Sequence, residues 1–334
     1  MSDIGSKVKV TITPSDYDCE FWGKKSSDIL ATEFEKFLNR SAEESEFLVY
    51  ISQECPLVDR AFVLELISQM GDYSSIRTSD GRLMITRRGI ARQHEKILNS
   101  NVILKATENR ERIEISERLR KMIVDRHIDA GVFILDPATV YIDFDVEIES
   151  GVTIYPNNII RGKSVIKSGC VLMPNNNITS SAIDENVTVT ASTLNGASVG
   201  KNSTIGPNAY LRPNARIGEN CRIGDFVEIK NATIGNHTKV SHLAYVGDAI
   251  VGENCNIGCG AIFVNYNGKT KSTSFVGNNS FIGSNCNIIA PVTIGDGAYI
   301  AAGTTVTHDL PADAFCIGRV RQEVKENLAK KYLK

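Results

Sequence analysis

The sequence predicts a mainly β protein: a parallel β-helix of hexapeptide repeats, preceded by a small α/β domain and a linker helix. Three observations predict it. From about Val140 an apolar residue returns every six positions, as in Val199, Ile205, Leu211, Ile217, Ile223 and Ile229, and again in Val276, Ile282, Ile288, Ile294, Ile300 and Val306. Glycine often follows that residue (Gly200, Gly218, Gly283, Gly295), and a small residue often stands four positions after it (Ser203, Ala209, Ala215, Cys221). Residues before about 130 lack this period. A spacing of six is neither helical nor plain alternation; it is the signature of a β-helix whose units each supply one short strand and one corner.

The elements follow in order. Residues 1–108 read as a small α/β domain, with KVKVTI (7–12) and FLVYIS (47–52) as strands and DILATEFEKFL and RAFVLELISQM as helices. NRERIEISERLRKMIVDRHI is a charged amphipathic stretch, giving a linker helix over 109–130. The β-helix is expected over 131–318. The repeat stops near Arg319, and QEVKENLAKKYLK predicts a short helical tail within 319–334.

Composition narrows the function. A net charge of −2 gives no field that would draw nucleic acid or an anionic membrane. No apolar run is long enough to span a bilayer, and MSDIGSKVKV has no apolar signal core, so a cytoplasmic protein is expected. The eight cysteines form no matched CxxC pairs, and CNIGC (255–259) is a weak metal signal. Cys221, Cys255 and Cys286 fall on the small interior position, so no metal site is expected.

Coil arithmetic then places the polar residues. Three hexapeptides make one coil, so residues about 18 apart stack at roughly 4.8 Å. Arg212 and Lys230 are 18 apart and should lie in register. They could form a solvated charged edge, or a clamp in which a bound phosphate relieves their repulsion. Some corners are five apart, as Ile229 to Ile234 and Val246 to Val251, giving 17-residue coils. With residues 264–274 taken as a loop thrown out of one coil, a column of His242, Cys259, Ser284 and Ala302 results. Small side chains above the histidine would let a thin, extended ligand lie along the helix axis. His242 could instead be satisfied at a subunit contact, and Tyr245 could be interface packing.

A family resemblance attaches to these residues. YLRPNARIG, FVEIKNATIG, KVSHLAYVGDA, NCNIGCGAIFVNYNGKTK, FIGSN, IAAGTTV and IGRVRQ resemble the acetyltransferase half of the bacterial bifunctional N-acetylglucosamine-1-phosphate uridyltransferase/glucosamine-1-phosphate acetyltransferase family. The likeness covers roughly 109–322 and includes the linker helix and first coil. It implies a left-handed β-helix, the exception to the usual right-handed crossover, in a homotrimer with active sites between subunits. It also implies acetyl transfer from acetyl-CoA to the amino group of glucosamine 1-phosphate, without a required metal. His242 would be the general base, oriented by Glu228. Arg212, Lys230, Tyr245 and Asn256 would hold the sugar phosphate, and Cys259, Asn265, Tyr266, Ser284, Ala302 and Arg319 would line the acetyl-CoA site.

The chain also departs from that pattern. Cys259 stands where the family commonly has alanine. Residues 1–108 are shorter than the family's nucleotide-binding half and lack its glycine-rich phosphate loop; SQECPLVDRAFVLELI only faintly resembles its Gly-Asp-x-Pro-Leu segment, with Glu54 for the aspartate. A reduced or replaced domain without uridyltransferase activity is expected. Rival readings are acetyl transfer to another amino-sugar phosphate, a non-catalytic sugar-nucleotide-sensing module, and a zinc hydratase of the carbonic-anhydrase type. The hydratase would need three histidines at one interface, where His237 and His242 offer two.

Overall fold

The computed structural model describes residues 7–15, 18–89, 94–99 and 104–333. Of MSDIGSKVKV, the first six residues lie outside them. The chain divides into two compact units: Met1–Arg126 with Ile142–Asp145, and His127–Tyr141 with Val146–Lys334.

The first unit holds a five-stranded mixed sheet in the order Val8–Thr13, Phe47–Ser52, Leu83–Arg87, Ser75–Thr78, Glu95–Leu98. The first two strands run parallel and Leu83–Arg87 runs antiparallel to its neighbours. Strand Phe47–Ser52 alternates strictly between buried and half-buried residues. Its buried set, Phe47, Val49 and Ile51, packs in one core with Leu30 and Phe34 of the first helical region and with Val63, Leu66 and Ile67 of helix Arg60–Ser68. The Asp59 carboxylate caps that last helix by accepting from the Phe62 amide at 2.7 Å. DILATEFEKFL forms two short helices, Ser26–Glu33 and Glu35–Leu38. Helix Asn109–Asp129 is continuous over 21 residues, and its Ile115 and Leu119 are buried with Phe21, Ile29 and Ala106.

The second unit is a left-handed parallel β-helix with three faces, sheets of 9, 11 and 10 strands. Most strands are only two or three residues long, exposed then buried, because the chain bends at every corner. One interior stack runs Leu194, Leu211, Ile229, Val246 on a single face, each residue paired with the next coil. All four are essentially fully buried, and burying each such side chain is worth about 1.5–3 kcal/mol. Many corners use asparagine in the left-handed region, among them Asn202, Asn208, Asn214 and Asn220, where its short polar side chain tolerates positive φ. Coil length is 18 residues at Ile148–Ile166 and 17 at Ile217–Ile234, and falls to 16 at Ile183–Val199.

The chain leaves the helix once at length, between strands Ile262–Val264 and Ser274–Val276, which is the excursion expected over 264–274. A bridge between Tyr266 and Lys271 closes it. The tail differs from expectation. It makes a single 3₁₀ turn at Leu328–Lys331. Val320, Val324, Tyr332 and Leu333 all remain exposed, and so short a segment with no buried face cannot offset the cost of helix nucleation.

Candidate active site on adjacent coils

The stack Leu211, Ile229, Val246 fixes what stands beside it. Leu211 pairs with Ile229, so Arg212 lies one coil from Lys230 as the repeat predicts. Neither cation is left to repel the other, however. The Arg212 guanidinium donates to Glu228 at 2.7 Å, and Lys230 Nζ reaches the Asp248 carboxylate at 3.1 Å.

Asp248 organises this cluster. It is buried and takes φ of 48°, which turns its carboxylate back toward the preceding coil. Besides Lys230 it accepts from the Asn231 amide at 2.6 Å and from the Asn265 amide. Burial works against its charge, but the Asn231, Lys230 and Asn265 donors outweigh this and hold its carboxyl below the usual range. Lys230 is likewise opposed by burial, and the Asp248 carboxylate raises its pKa. Lys271, exposed at the end of the excursion, is lowered by the Lys230 ammonium beside it. Lys271 thus adds a like charge near Lys230, besides Arg212 one coil away. Tyr245 lies over Gly247, where any Cβ would collide with its hydroxyl, and Asn265 reaches that hydroxyl at 3.4 Å.

His242 stands on the next face. Its Nδ1 lies 2.5 Å from Asp225 Oδ1, one coil earlier in direct register. The expected partner, Glu228, is occupied by Arg212, so the structure replaces Glu228 by Asp225 as the carboxylate on the ring. The reason is register: Asp225 pairs with His242, whereas Glu228 pairs with Tyr245.

Above His242 the column follows from three successive pairings, Val240 with Ile257, Ile257 with Ile282 and Ile282 with Ile300. Cys259, Ser284 and Ala302 are all exposed along it. Arg319 ends on the column, its Nε donating to the Ala302 carbonyl at 2.9 Å. Two expected residues stand apart. Asn256 is on the His242 face between Lys239 and Phe281, and Tyr266 is held in the excursion by a 2.7 Å bond from its hydroxyl to Gly268 O. Asp225, Asp248 and Lys271 were not singled out from the sequence. The first two were within reach, because Asp225 to His242 is one 17-residue coil and Lys230 to Asp248 one of 18. Among the described residues, no group of three or more His, Cys, Asp or Glu is placed to hold a metal ion.

Two family descriptions match within the helix: the "GMPPB C-terminal domain" over residues 194–266 and "Bacterial transferase hexapeptide (six repeats)" over 273–308. "Bifunctional protein GlmU" of Clostridium acetobutylicum is 50% identical over 213 residues, 64% of this chain and 47% of that protein. The β-helical portion is thus similar in sequence to part of that protein. The GlmU of Clostridium novyi is also 50% identical, over 222 residues, 66% of this chain and 49% of its own length. The chain thus spans about half the length of the curated relatives it matches. Among solved structures, the UDP-N-acetylglucosamine acyltransferase of Francisella novicida aligns over 55% of this chain and 68% of its own, at 15% identity and a TM-score of 0.39. No described helix is long and apolar enough to cross a membrane.

Proposed function

We propose that the chain transfers acetyl from acetyl-CoA to the 2-amino group of glucosamine 1-phosphate, as a cytoplasmic homotrimer. The observation that carries this reading is one arrangement. A carboxylate-held histidine stands at the foot of a column of small exposed residues, one strand away from the cations Arg212, Lys230 and Lys271.

In this reading the sugar phosphate binds among Arg212, Lys230 and Lys271, with Tyr245 and Asn256 on the sugar. The pantetheine arm of acetyl-CoA lies along Cys259, Ser284 and Ala302, with Asn265, Tyr266 and Arg319 as further contacts. The amine nitrogen attacks the thioester carbonyl carbon, so a C–N bond forms and the C–S bond breaks. His242 accepts the amine proton and returns it to the departing thiolate. A positioned general base typically contributes about 10²–10⁴-fold. No metal is called for by the chemistry. Fixing the sugar through its phosphate brings the amine to the thioester, the usual gain from positioning.

The absence of uridyltransferase activity is part of the same proposal, since residues 1–108 carry no glycine-rich phosphate loop. Glu54, just beyond strand Phe47–Ser52, is buried, paired with an Arg82 that also pairs with Asp80, and accepts from Ser15 Oγ at 2.8 Å.

The test is thiol release from acetyl-CoA across glucosamine 1-phosphate, glucosamine 6-phosphate, galactosamine 1-phosphate and glucosamine. Preference for glucosamine 1-phosphate supports the reading. Preference for another member of the panel moves the substrate assignment, and no turnover with any of them refutes it.

A further inference from the structure

Three local features hold Asp225 against His242. Strands Arg222–Asp225 and Lys239–His242 are four residues long where most strands of the helix have two or three. Their pairing therefore runs on past Arg222–Lys239 and Ile223–Val240 to include Asp225 and His242. Gly224 permits this, since a Cβ there would collide with the Ser241 carbonyl, and only a residue without a side chain lets the two backbones come so close.

The turn after each residue is also unusual. Phe226 and Leu243 have φ of 54° and 37°. On the next three coils the same position is Gly260, Asn285 and Gly303, also at positive φ, where those residues are at ease. A bulky side chain in that region costs about 1–3 kcal/mol and persists only where its surroundings impose it. Leu243 N donates to Asp225 O and Gly260 N to Leu243 O at 2.8 Å each, so the backbone of three coils is tied at this point.

We propose that Asp225 is the positioning residue for His242: its carboxylate accepts Nδ1–H and so keeps Nε2 unprotonated and free to take a proton. An imidazole with one nitrogen committed to a carboxylate has a fixed tautomer and a fixed ring plane. Once Nε2 is protonated, the same carboxylate stabilises the imidazolium. The hydrogen bond to His242 is also the leading cause that lowers the Asp225 pKa, with Arg222 contributing, so the carboxylate stays ionised through the neutral range. The role rests on the acetyl-transfer reading, in which His242 is the base. The hydrogen bond and tautomer do not depend on that reading.

The experiment therefore has two arms. In the first, ¹⁵N-histidine-labelled full-length protein is observed by NMR, with the His242 signals assigned from His242→Gln. The account expects a neutral His242 protonated at Nδ1 in the wild type, and a mixture of tautomers in Asp225→Ala. An Nε2-protonated ring in the wild type, or an unchanged tautomer in Asp225→Ala, overturns the proposal even if the protein has no acetyltransferase activity. In the second arm, Asp225→Ala should lower kcat by about 10-fold or more, inside the roughly 10²–10⁴ that a whole base supplies. KM for both substrates should stay within about twofold, and Asp225→Asn, whose carbonyl can still accept Nδ1–H, should recover part of the loss. A wild-type kcat in Asp225→Ala, or equal losses in Ala and Asn variants, contradicts the positioning role.

Discussion

Lys230 Nζ and the Asp248 carboxylate lie 3.1 Å apart, 18 residues and one coil from each other, with both side chains largely withdrawn from solvent. Their contact gives the cation two tasks: to neutralise a buried carboxylate and to present positive charge to a phosphate. Lys230→Ala should therefore act on both. Breaking a buried pair by deleting one partner costs about 3–5 kcal/mol, and here the value should fall at or below the lower end, because Asn231 and Asn265 still donate to Asp248. Adding Asp248→Asn should recover part of that loss in a denaturation series. In kinetics, Lys230→Ala should raise KM for the sugar phosphate and lower kcat, while KM for acetyl-CoA changes little. A selective loss in acetyl-CoA binding would mean that the two ligand sites are assigned the wrong way round.

Asp248 also sets an acid limit on stability. Burial opposes its charge, but three donors favour the charged form and hold its folded pKa below the ordinary aspartate range. A group with a depressed pKa contributes stability that is present above its unfolded pKa and is lost as pH falls through the folded one. The wild type should thus lose stability below about pH 4, the unfolded aspartate value. Asp248→Asn should be less stable near neutrality and show a shallower decline below pH 4. Parallel wild-type and mutant curves of stability against pH would remove Asp248 from this role.

The column makes a steric prediction. Cys259 is exposed between His242 and Ser284. Cys259→Ala should leave turnover near wild type, since no step uses the thiol. Cys259→Phe should raise KM for acetyl-CoA by about 10-fold or more, equivalent to about 1.4 kcal/mol, with little change for the sugar phosphate. An inactive Cys259→Ala would show that the thiol takes part in the chemistry.

For the first unit, incubation with UTP, magnesium and N-acetylglucosamine 1-phosphate should release no pyrophosphate above background. Steady release would show that the first unit carries nucleotide chemistry.

The helix was legible because its repeat is a backbone property. Once corners are counted, Val240, Ile257, Ile282 and Ile300 must stack, and the column of His242 to Ala302 follows. Side-chain partners were less legible. Coil counting sets Arg212 beside Lys230, but its partner is Glu228, 16 residues on rather than 18. Asp225 escaped notice because ordinary corners end the strand before that position, and only the approach allowed by Gly224 extends it. The tail misled for a different reason. Its helical composition is real, but its apolar residues Val320, Val324, Tyr332 and Leu333 stay exposed.

The most direct test of the central claim is product identity. Purified wild type and His242→Ala would be incubated side by side with acetyl-CoA and glucosamine 1-phosphate, and the sugar products followed by mass spectrometry and NMR. The account predicts N-acetylglucosamine 1-phosphate from the wild type, and about 10²–10⁴-fold slower formation by a mutant that still folds. Wild-type turnover in a folded His242→Ala, or no N-acetylated sugar phosphate from the wild type, would contradict it.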